Sequence, residues 1–455
     1  MKINNNIKHI FPIAFPIAIQ GLIQTSIGII DQMMVSRLGN SAIAAAGLAN
    51  HPMTVLFFLS LGIAGGTGIF AAQYYGDKQY KNISKVVQIS HIYSLLITIP
   101  LMILTGLTPK LVLQLFTTDQ EVILLGSNYL RIISISCIPF MITLINSSAL
   151  KACGNVKLPF IAGVVSVIVN TSLNYIFIYS LGFGLKGAAI ATLIARIIES
   201  FMLIYGYNML NKKLKNKQKN SLNPSTTSRK FENKYVKNNY LKVTLPLVLG
   251  EFVFITSITF YTTLYARMGT IEMAAVTVLV PMQNITFGLF SGVSTAAAVL
   301  IGQALGNKNL EQAQTLAINI LKTTFILAIM LCSFFIVTMP FYINLFSLSS
   351  EVKSMTFALS WAIILFLPAR IMNMILGDGI LKSGGETKFM LKMSLFTLFG
   401  IGVPMGILTG FLFKLPLVYV YCAVSVEEIA RCLIGLWKTK TGTWKVNLTQ
   451  NKAAA

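Results

Sequence analysis

The chain has 455 residues, 55% apolar and 11% charged, with 36 Lys and Arg against 14 Asp and Glu for a formal net charge of +22. That composition excludes an ordinary soluble globular chain. Apolar runs of roughly 20 residues recur along the whole length, each long enough to cross a hydrocarbon core as a helix. The short alternating segments of a β-barrel do not occur.

In chain order the runs lie near 9–36, 52–75, 86–107, 122–149, 158–180 and 184–208, then 241–265, 277–302, 314–341, 355–380, 389–411 and 416–437. They predict an all-α integral membrane protein of twelve transmembrane helices. The organisation expected is an N-lobe over 1–210 with helices 1–6, a basic linker over 211–239, a C-lobe over 240–446 with helices 7–12, and a tail over 447–455. The linker, rich in Lys, Asn and Ser, reads as a flexible cytoplasmic tether.

The two lobes repeat one another about 230 residues apart. Pro16, Arg37, Gly39, Gly62, Gln73, Gly76 and Lys78 return as Pro246, Arg267, Gly269, Gly292, Gln303, Gly306 and Lys308, and the turn LKACGNVK at 150–157 returns as LKSGGETK at 381–388. Each half has an even number of spans and follows a basic segment, so the halves are expected as two bundles related by a pseudo-twofold axis along the membrane normal. Paired membrane halves leave a cleft where many transporters bind their substrate.

The positive charge follows alternate loops: the N-terminus, 76–85, Lys151 and Lys157, the linker, Lys382 and Lys388, and Lys438, Lys440 and Lys445. This is a topology signal that places both termini in the cytoplasm, and no nucleic-acid partner is inferred from it. Cys137, Cys153, Cys332, Cys422 and Cys432 are scattered, as are His9, His51 and His91, without metal-ligand or disulfide spacing. No Walker motif or nucleophile–base arrangement stands out, so neither an enzyme nor a cofactor is expected.

Acids inside apolar spans are expensive and usually have a partner or a task. Glu199 lies three residues after Arg196, and Arg431 lies four and three after Glu427 and Glu428, spacings that predict intrahelical pairs. Asp31, Glu251 and Asp378 lack such company, apart from Lys382 near Asp378. In the opposite half they correspond to Tyr261, Gly21 and Ser147, so each acid is peculiar to its own half. Such a carboxyl can carry a proton, or ligate sodium with help from amides, at Asp31 or at Glu251.

Asn170 and Asn174, one turn apart, could orient Asp31 or supply amide oxygens. Glu251 and Asp378 could share a site in which one carboxyl stays protonated. Gln20 and Gln24 form a polar stripe with Asp31 on a helix that Pro16 can bend. Met33, Met282 and Gln283 are expected at the cleft, where soft side chains repack around varied ligands.

The repeat, GIIDQMMVSRLGNSAIAAAGLA (28–49), GQALGNKN (302–309), NTSLNYIFIYSLGFGLKGAAIAT (170–192) and GILKSGGETKF (379–389) together resemble the multidrug and toxic compound extrusion (MATE) family over nearly the whole chain. The resemblance implies an antiporter in a bacterial cytoplasmic (inner) membrane that expels amphipathic, often cationic compounds in exchange for protons or sodium. A monomer is expected. By position Asp31 matches the family's first-helix carboxylate and Glu251 the seventh-helix glutamate of the NorM-type branch, with Asp378 near that branch's tenth-helix acid. Tyr129, Asn170 and Thr192 match polar positions around the N-lobe cation site of the DinF-type branch. Asn174 stands where that branch has an aspartate, so the expected weight of coupling falls on the C-lobe. A flippase for lipid-linked oligosaccharides in the same superfamily is the alternative, disfavoured by the few basic residues within spans.

Overall fold

The apolar runs set out above fall in helices of the structure, a computed structural model that describes residues 3–219, 229–346 and 348–450. The helices are α1 (Ile3–Ser36), α2 (Asn40–Gly76), α3 (Tyr80–Leu107), α4 (Pro109–Gln114), α5 (Gln120–Ile135), α6 (Cys137–Ala152), α7 (Lys157–Asn174) and α8 (Gly184–Lys219). They continue as α9 (Arg229–Met268), α10 (Thr270–Gly306), α11 (Leu310–Asn344), α12 (Ser350–Met374), α13 (Thr387–Ser394), α14 (Val403–Gly406) and α15 (Leu417–Thr441). Four π segments extend or join them: Tyr175–Ser180, Ile375–Leu381, Leu395–Gly402 and Ile407–Leu412. No strand occurs among the described residues.

Among the described residues nine helices are long and apolar enough to cross a membrane, and ten if α5 and α6, bent by 41° at their junction, count as one span. The run at 122–149 is thus a broken helix. Two runs fall outside that count: α1 has a shorter apolar stretch, Phe11–Ile23, and α15 is interrupted by Glu427, Glu428 and Arg431.

The linker differs from the flexible tether expected. Its first part is the end of α8 and its last part the start of α9, with residues 220–228 outside the described set. A polar sequence of Lys, Asn, Leu and Gln keeps ordinary helix propensity, so the helices on either side extend into its two ends.

Contacts divide the chain into two compact units, one of residues up to 18 with 249–448, the other of 19–248 with the residues from 449. These units do not coincide with the two sequence halves. Helix α1 passes from one unit to the other two residues after Pro16, and α9 does so two residues after Pro246. A proline removes one rung of the helical ladder, which makes it the natural point for a helix to change neighbours.

The repeated glycines explain how each proline-bearing segment is held. A Cβ on Gly62 would come within 2.7 Å of the Val248 Cα, and one on Gly292 would overlap the Ala14 carbonyl and lie 2.8 Å from the Ala18 nitrogen. Backbones meet backbones at both places, the packing that small residues permit in membranes. In the second unit Tyr240 is fully buried, accepts from Ser90 at 2.9 Å and donates to the Ile63 carbonyl at 3.2 Å.

Each unit has its own apolar centre, around Leu113, Leu130, Ala45 and Ala189 in one and Leu264, Leu279, Phe335 and Val420 in the other. The repeated turns also recur in backbone detail. Lys78 and Lys308 take positive φ values of 57° and 61°, and Gly154 and Gly385 values of 84° and 73°, where glycine avoids the usual penalty.

Candidate functional site

The second unit gathers the N-lobe residues singled out in the sequence. Asp31, on α1, accepts a 2.6 Å hydrogen bond at Oδ1 from Asn174 Nδ2 on α7. Asn170, one turn earlier on α7, is best oriented with its amide nitrogen toward Asp31, 2.8 and 3.1 Å from the two carboxylate oxygens, leaving its oxygen to accept from Thr192 Oγ1 on α8 at 3.1 Å. Short bonds to an ionised acceptor are the strong kind, so the carboxylate is held by two amides at once.

Asn174 is 1% exposed, and its Oδ1 has no hydrogen-bond partner. A buried carbonyl oxygen without a donor is rare and calls for an explanation. Tyr129, on α5 and 8% exposed, lies within range of the Asp31 charge and pairs with Asn50.

Two further contacts fix α1 against α7. Gln20 Nε2 donates to the Pro159 carbonyl at 3.3 Å, and the Tyr179 hydroxyl to the Met34 carbonyl at 2.9 Å. Tyr179 belongs to the π segment that follows Asn174 directly, a local widening often found at functional sites. Asp31 is therefore bracketed along α1 by anchors on both sides. The Asp31 carboxylate and the unpartnered Asn174 oxygen are the acceptors here that a proton or a hard cation could use.

The first unit holds Glu251 and Asp378, but not as an isolated pair of acids. Lys382 Nζ lies 3.2 Å from Asp378 Oδ1, one turn along the chain, and its charge and that of Asp378 both act on Glu251. On Glu251 the Lys382 charge acts in the opposite sense to that of Asp378. The Asp378 side chain is also 53% exposed, so it keeps much of its access to the surroundings.

Of the residues expected at a cleft, Gln20 is buried against α7, Met33 is 65% exposed, and Met282 at 3% is part of its unit's core. Gln283 accepts a 2.6 Å hydrogen bond from Arg370 Nη1. The Gln24 side chain lies outside the described residues.

The expected pairs of charges hold in part. Arg196 meets Glu199 at 3.1 Å and Arg431 faces Glu427 at 3.7 Å. Glu428, expected to pair with Arg431, instead meets Arg370 of α12 at 3.2 Å and accepts a 2.7 Å hydrogen bond from Asn373. A local-spacing argument could not find this, because the partners are 58 and 55 positions apart. The one available signal was a lone arginine, Arg370, inside an apolar span.

Comparison with known proteins identifies the family of the chain. Residues 16–176 and 246–408 match the family model described as MatE. The chain is 24% identical over 453 residues to the uncharacterized transporter YisQ of Bacillus subtilis, covering 96% of this chain and 94% of that one. It is 21% identical over 407 residues to the multidrug resistance protein MdtK of Yersinia pseudotuberculosis, covering 89% and 87%. A solved transporter of the MOP superfamily from Pyrococcus furiosus superposes with a TM-score of 0.84 at 21% identity, covering 98% of this chain and 97% of that one. A multidrug resistance MATE transporter solved in an outward-facing conformation superposes at 0.82 with 21% identity, covering 96% and 97%. With matched segments spanning most of both repeats, the chain belongs to the MatE family of membrane transporters.

Proposed function

We propose that the protein is a cation-coupled antiporter that exports amphipathic or cationic drugs by alternating access. In this reading its two lobes are six-helix bundles, it works as a monomer, and it sits in a bacterial cytoplasmic membrane with both termini inside. The names of relatives such as MdtK support drugs as the exported class. The observation that carries the coupling role is the Asp31 carboxylate, held by Asn170 and Asn174 beside an amide oxygen that has no partner.

With Asp31 charged, the amide nitrogens of Asn170 and Asn174 face it. When a proton or a sodium ion arrives, the free Asn174 oxygen becomes an acceptor or a ligand for it. The charge at that depth is then cancelled, and the preferred conformation of α1 changes with it. A ligand can shift an equilibrium between conformations only by its differential affinity for them. Drug and cation are coupled if each favours a different arrangement of the same helix.

Glu251, with Asp378 and Lys382, is the second place where a proton or sodium could act. Drug efflux from proteoliposomes under a proton gradient and a sodium gradient, imposed separately, tests the proposal. Export driven by one gradient supports it. No gradient-driven dye movement above that of empty vesicles, for a range of organic cations, refutes it.

A further inference from the structure

The first unit contains a buried carboxyl group for which the coupling scheme above has no use. Glu427, on α15, is 4% exposed, and its Oε2 makes no hydrogen bond. Arg431 Nη2 stands 3.7 Å away and also makes none, because the guanidinium is turned so that its Nε donates to Thr397 Oγ1 at 3.2 Å. The Tyr261 hydroxyl, on α9, is the third polar group here, facing the Glu427 carboxyl without a well-formed hydrogen bond. Both it and the Glu427 carboxyl lie against Gly402, where a Cβ would overlap the hydroxyl and come within 2.9 Å of Glu427 Oε2. Three buried polar atoms, each short of a well-formed hydrogen bond, thus converge where a glycine leaves room, a concentration unusual in a native interior.

Glu428 next door shows what a structural buried acid looks like in this unit. Both its carboxylate oxygens are engaged, one by Arg370 at 3.2 Å and the other by Asn373 at 2.7 Å. A purely structural Glu427 would be expected to be closed off in the same way.

The internal repeat gives this spot a meaning. In the order of elements α9, α13 with its π segment, and α15 repeat α1, α7 and α8. Tyr261 stands at the repeat position of Asp31. In the second unit α1, α7 and α8 bring together Asp31, Asn170 and Thr192. In the first unit the repeated helices bring together Tyr261, Gly402 and Glu427. The acid has moved from the first helix of the triple to the third, and a hydroxyl has taken its former place.

We infer that Glu427 is a proton-binding group, with Tyr261 as its hydroxyl partner, at the place in the first unit that Asp31 occupies in the second. One carboxylate and one phenol supply few oxygens for a metal cation, which coordinates several, and the Arg431 guanidinium beside them repels it. A proton requires one lone pair. Its binding forms a single O–H bond on the carboxyl and takes the set of Glu427, Glu428, Arg370 and Arg431 from neutral to one positive charge. The ionisable groups that act on Glu427 are Arg431 and Glu428 of its own helix, Tyr261 and Tyr265 of α9 and Arg370 of α12. The π segment Leu395–Gly402, α14 and the π segment Ile407–Leu412, also packed near α15, carry none, and the charges of the other two elements against it, Asp378 of the π segment Ile375–Leu381 and Lys388 and Lys392 of α13, do not act on Glu427. This inference stands whether or not Asp31 couples transport.

Infrared difference spectroscopy on the purified full-length protein in lipid nanodiscs tests it without any transport measurement. Protonated carboxyl groups have a carbonyl stretch distinct from carboxylates, followed here while pH is cycled over about 4 to 8, around and above the ordinary carboxyl range. The expected result is a reversible band that Glu427→Gln removes, that Asp31→Asn leaves in place, and whose midpoint Tyr261→Phe displaces. Glu427→Asp should keep the band at an altered frequency, which preserves the test if the Gln variant does not fold. Identical difference spectra in wild type, Glu427→Gln and Glu427→Asp would overturn the inference. So would loss of the band on adding sodium at constant pH, which would make the site a metal site, and an unmoved midpoint in Tyr261→Phe would remove the tyrosine from it.

Discussion

Replacing Asp31 by Asn isolates the charge from everything else the residue does. The amide is nearly isosteric, keeps one oxygen to accept from Asn174 (now at 2.6 Å) and loses the second charged acceptor, the oxygen 3.1 Å from the Asn170 nitrogen. Each charge-assisted hydrogen bond is worth about 1.5–3 kcal/mol, but removing the charge also removes its burial cost, so folding stability should change by about 1 kcal/mol at most. Transport should respond far more. Holding or cancelling a charge at membrane depth is worth roughly 2.5–3.5 kcal/mol, or about 70- to 400-fold in the balance of two conformations. Asp31→Asn fixes the cancelled state, so gradient-driven export of an ethidium-like dye from proteoliposomes should fall about 100-fold, while dye binding measured by fluorescence polarisation changes little. Near wild-type export by Asp31→Asn, with the Glu251→Gln variant inactive, would refute the reasoning and move the coupling to the first unit.

Asn174→Asp places a second acid 2.6 Å from the first and should create a demand for cation: sodium should then protect the purified protein against thermal unfolding, where in wild type it does so less. Equal sodium protection in both would count against Asn174 as part of the site. Gly292→Ala drives a methyl group into the Ala14 carbonyl and should cost about 1–3 kcal/mol, read as a lower melting temperature in detergent. Arg370→Met strands Glu428 in the interior and should cost about 3–5 kcal/mol, and the double variant with Glu428→Leu should recover most of it. Failure of the double variant to recover would mean that Arg370 acts through Gln283 instead.

What the sequence revealed and what it hid divide along range. The helices were legible because a membrane imposes long apolar runs, and the repeat was legible because prolines and glycines mark fixed backbone needs. Asp31 with Asn170 and Asn174 was legible for a narrower reason: two asparagines one turn apart in an apolar helix must face a common object. The partner of Glu428 was not, since Arg431 at three residues is an equally good candidate on paper and lost to Arg370 on another helix. Lys382 was visible beside Asp378, but a lysine near a helix end reads as a boundary residue, and its long side chain brings the charge back toward Glu251. The helical ends of the linker were hidden because polar composition is compatible with both coil and helix, and the neighbouring span decides between them.

The boundary between the compact units bears on how coupling could work. Each sequence half contributes the start of its first helix to the unit built mainly from the other half, and the exchange takes place just past Pro16 and Pro246. Asp31 therefore sits on a helix whose opening segment is packed against Gly292, and Glu251 on one whose opening segment is packed against Gly62 and Gly66. Close contact at those glycines, with backbone at Gly292 and Gly62 and with the Thr244 side chain at Gly66, tolerates little sliding, since a packed interface repacks between discrete arrangements more readily than it deforms. A change of charge at Asp31 that alters the path of α1 is then resisted at Gly292, and one at Glu251 that alters α9 is resisted at Gly62. The prolines lie within these contacts, Pro16 between Ala14 and Ala18 at Gly292 and Pro246 between Thr244 and Val248 at Gly66 and Gly62, where the helix already lacks a hydrogen bond. The repeated proline and the repeated glycine pack the first helix of each half in the same way. The acids are peculiar to each half, and it is to them that the proposed function assigns the response to charge.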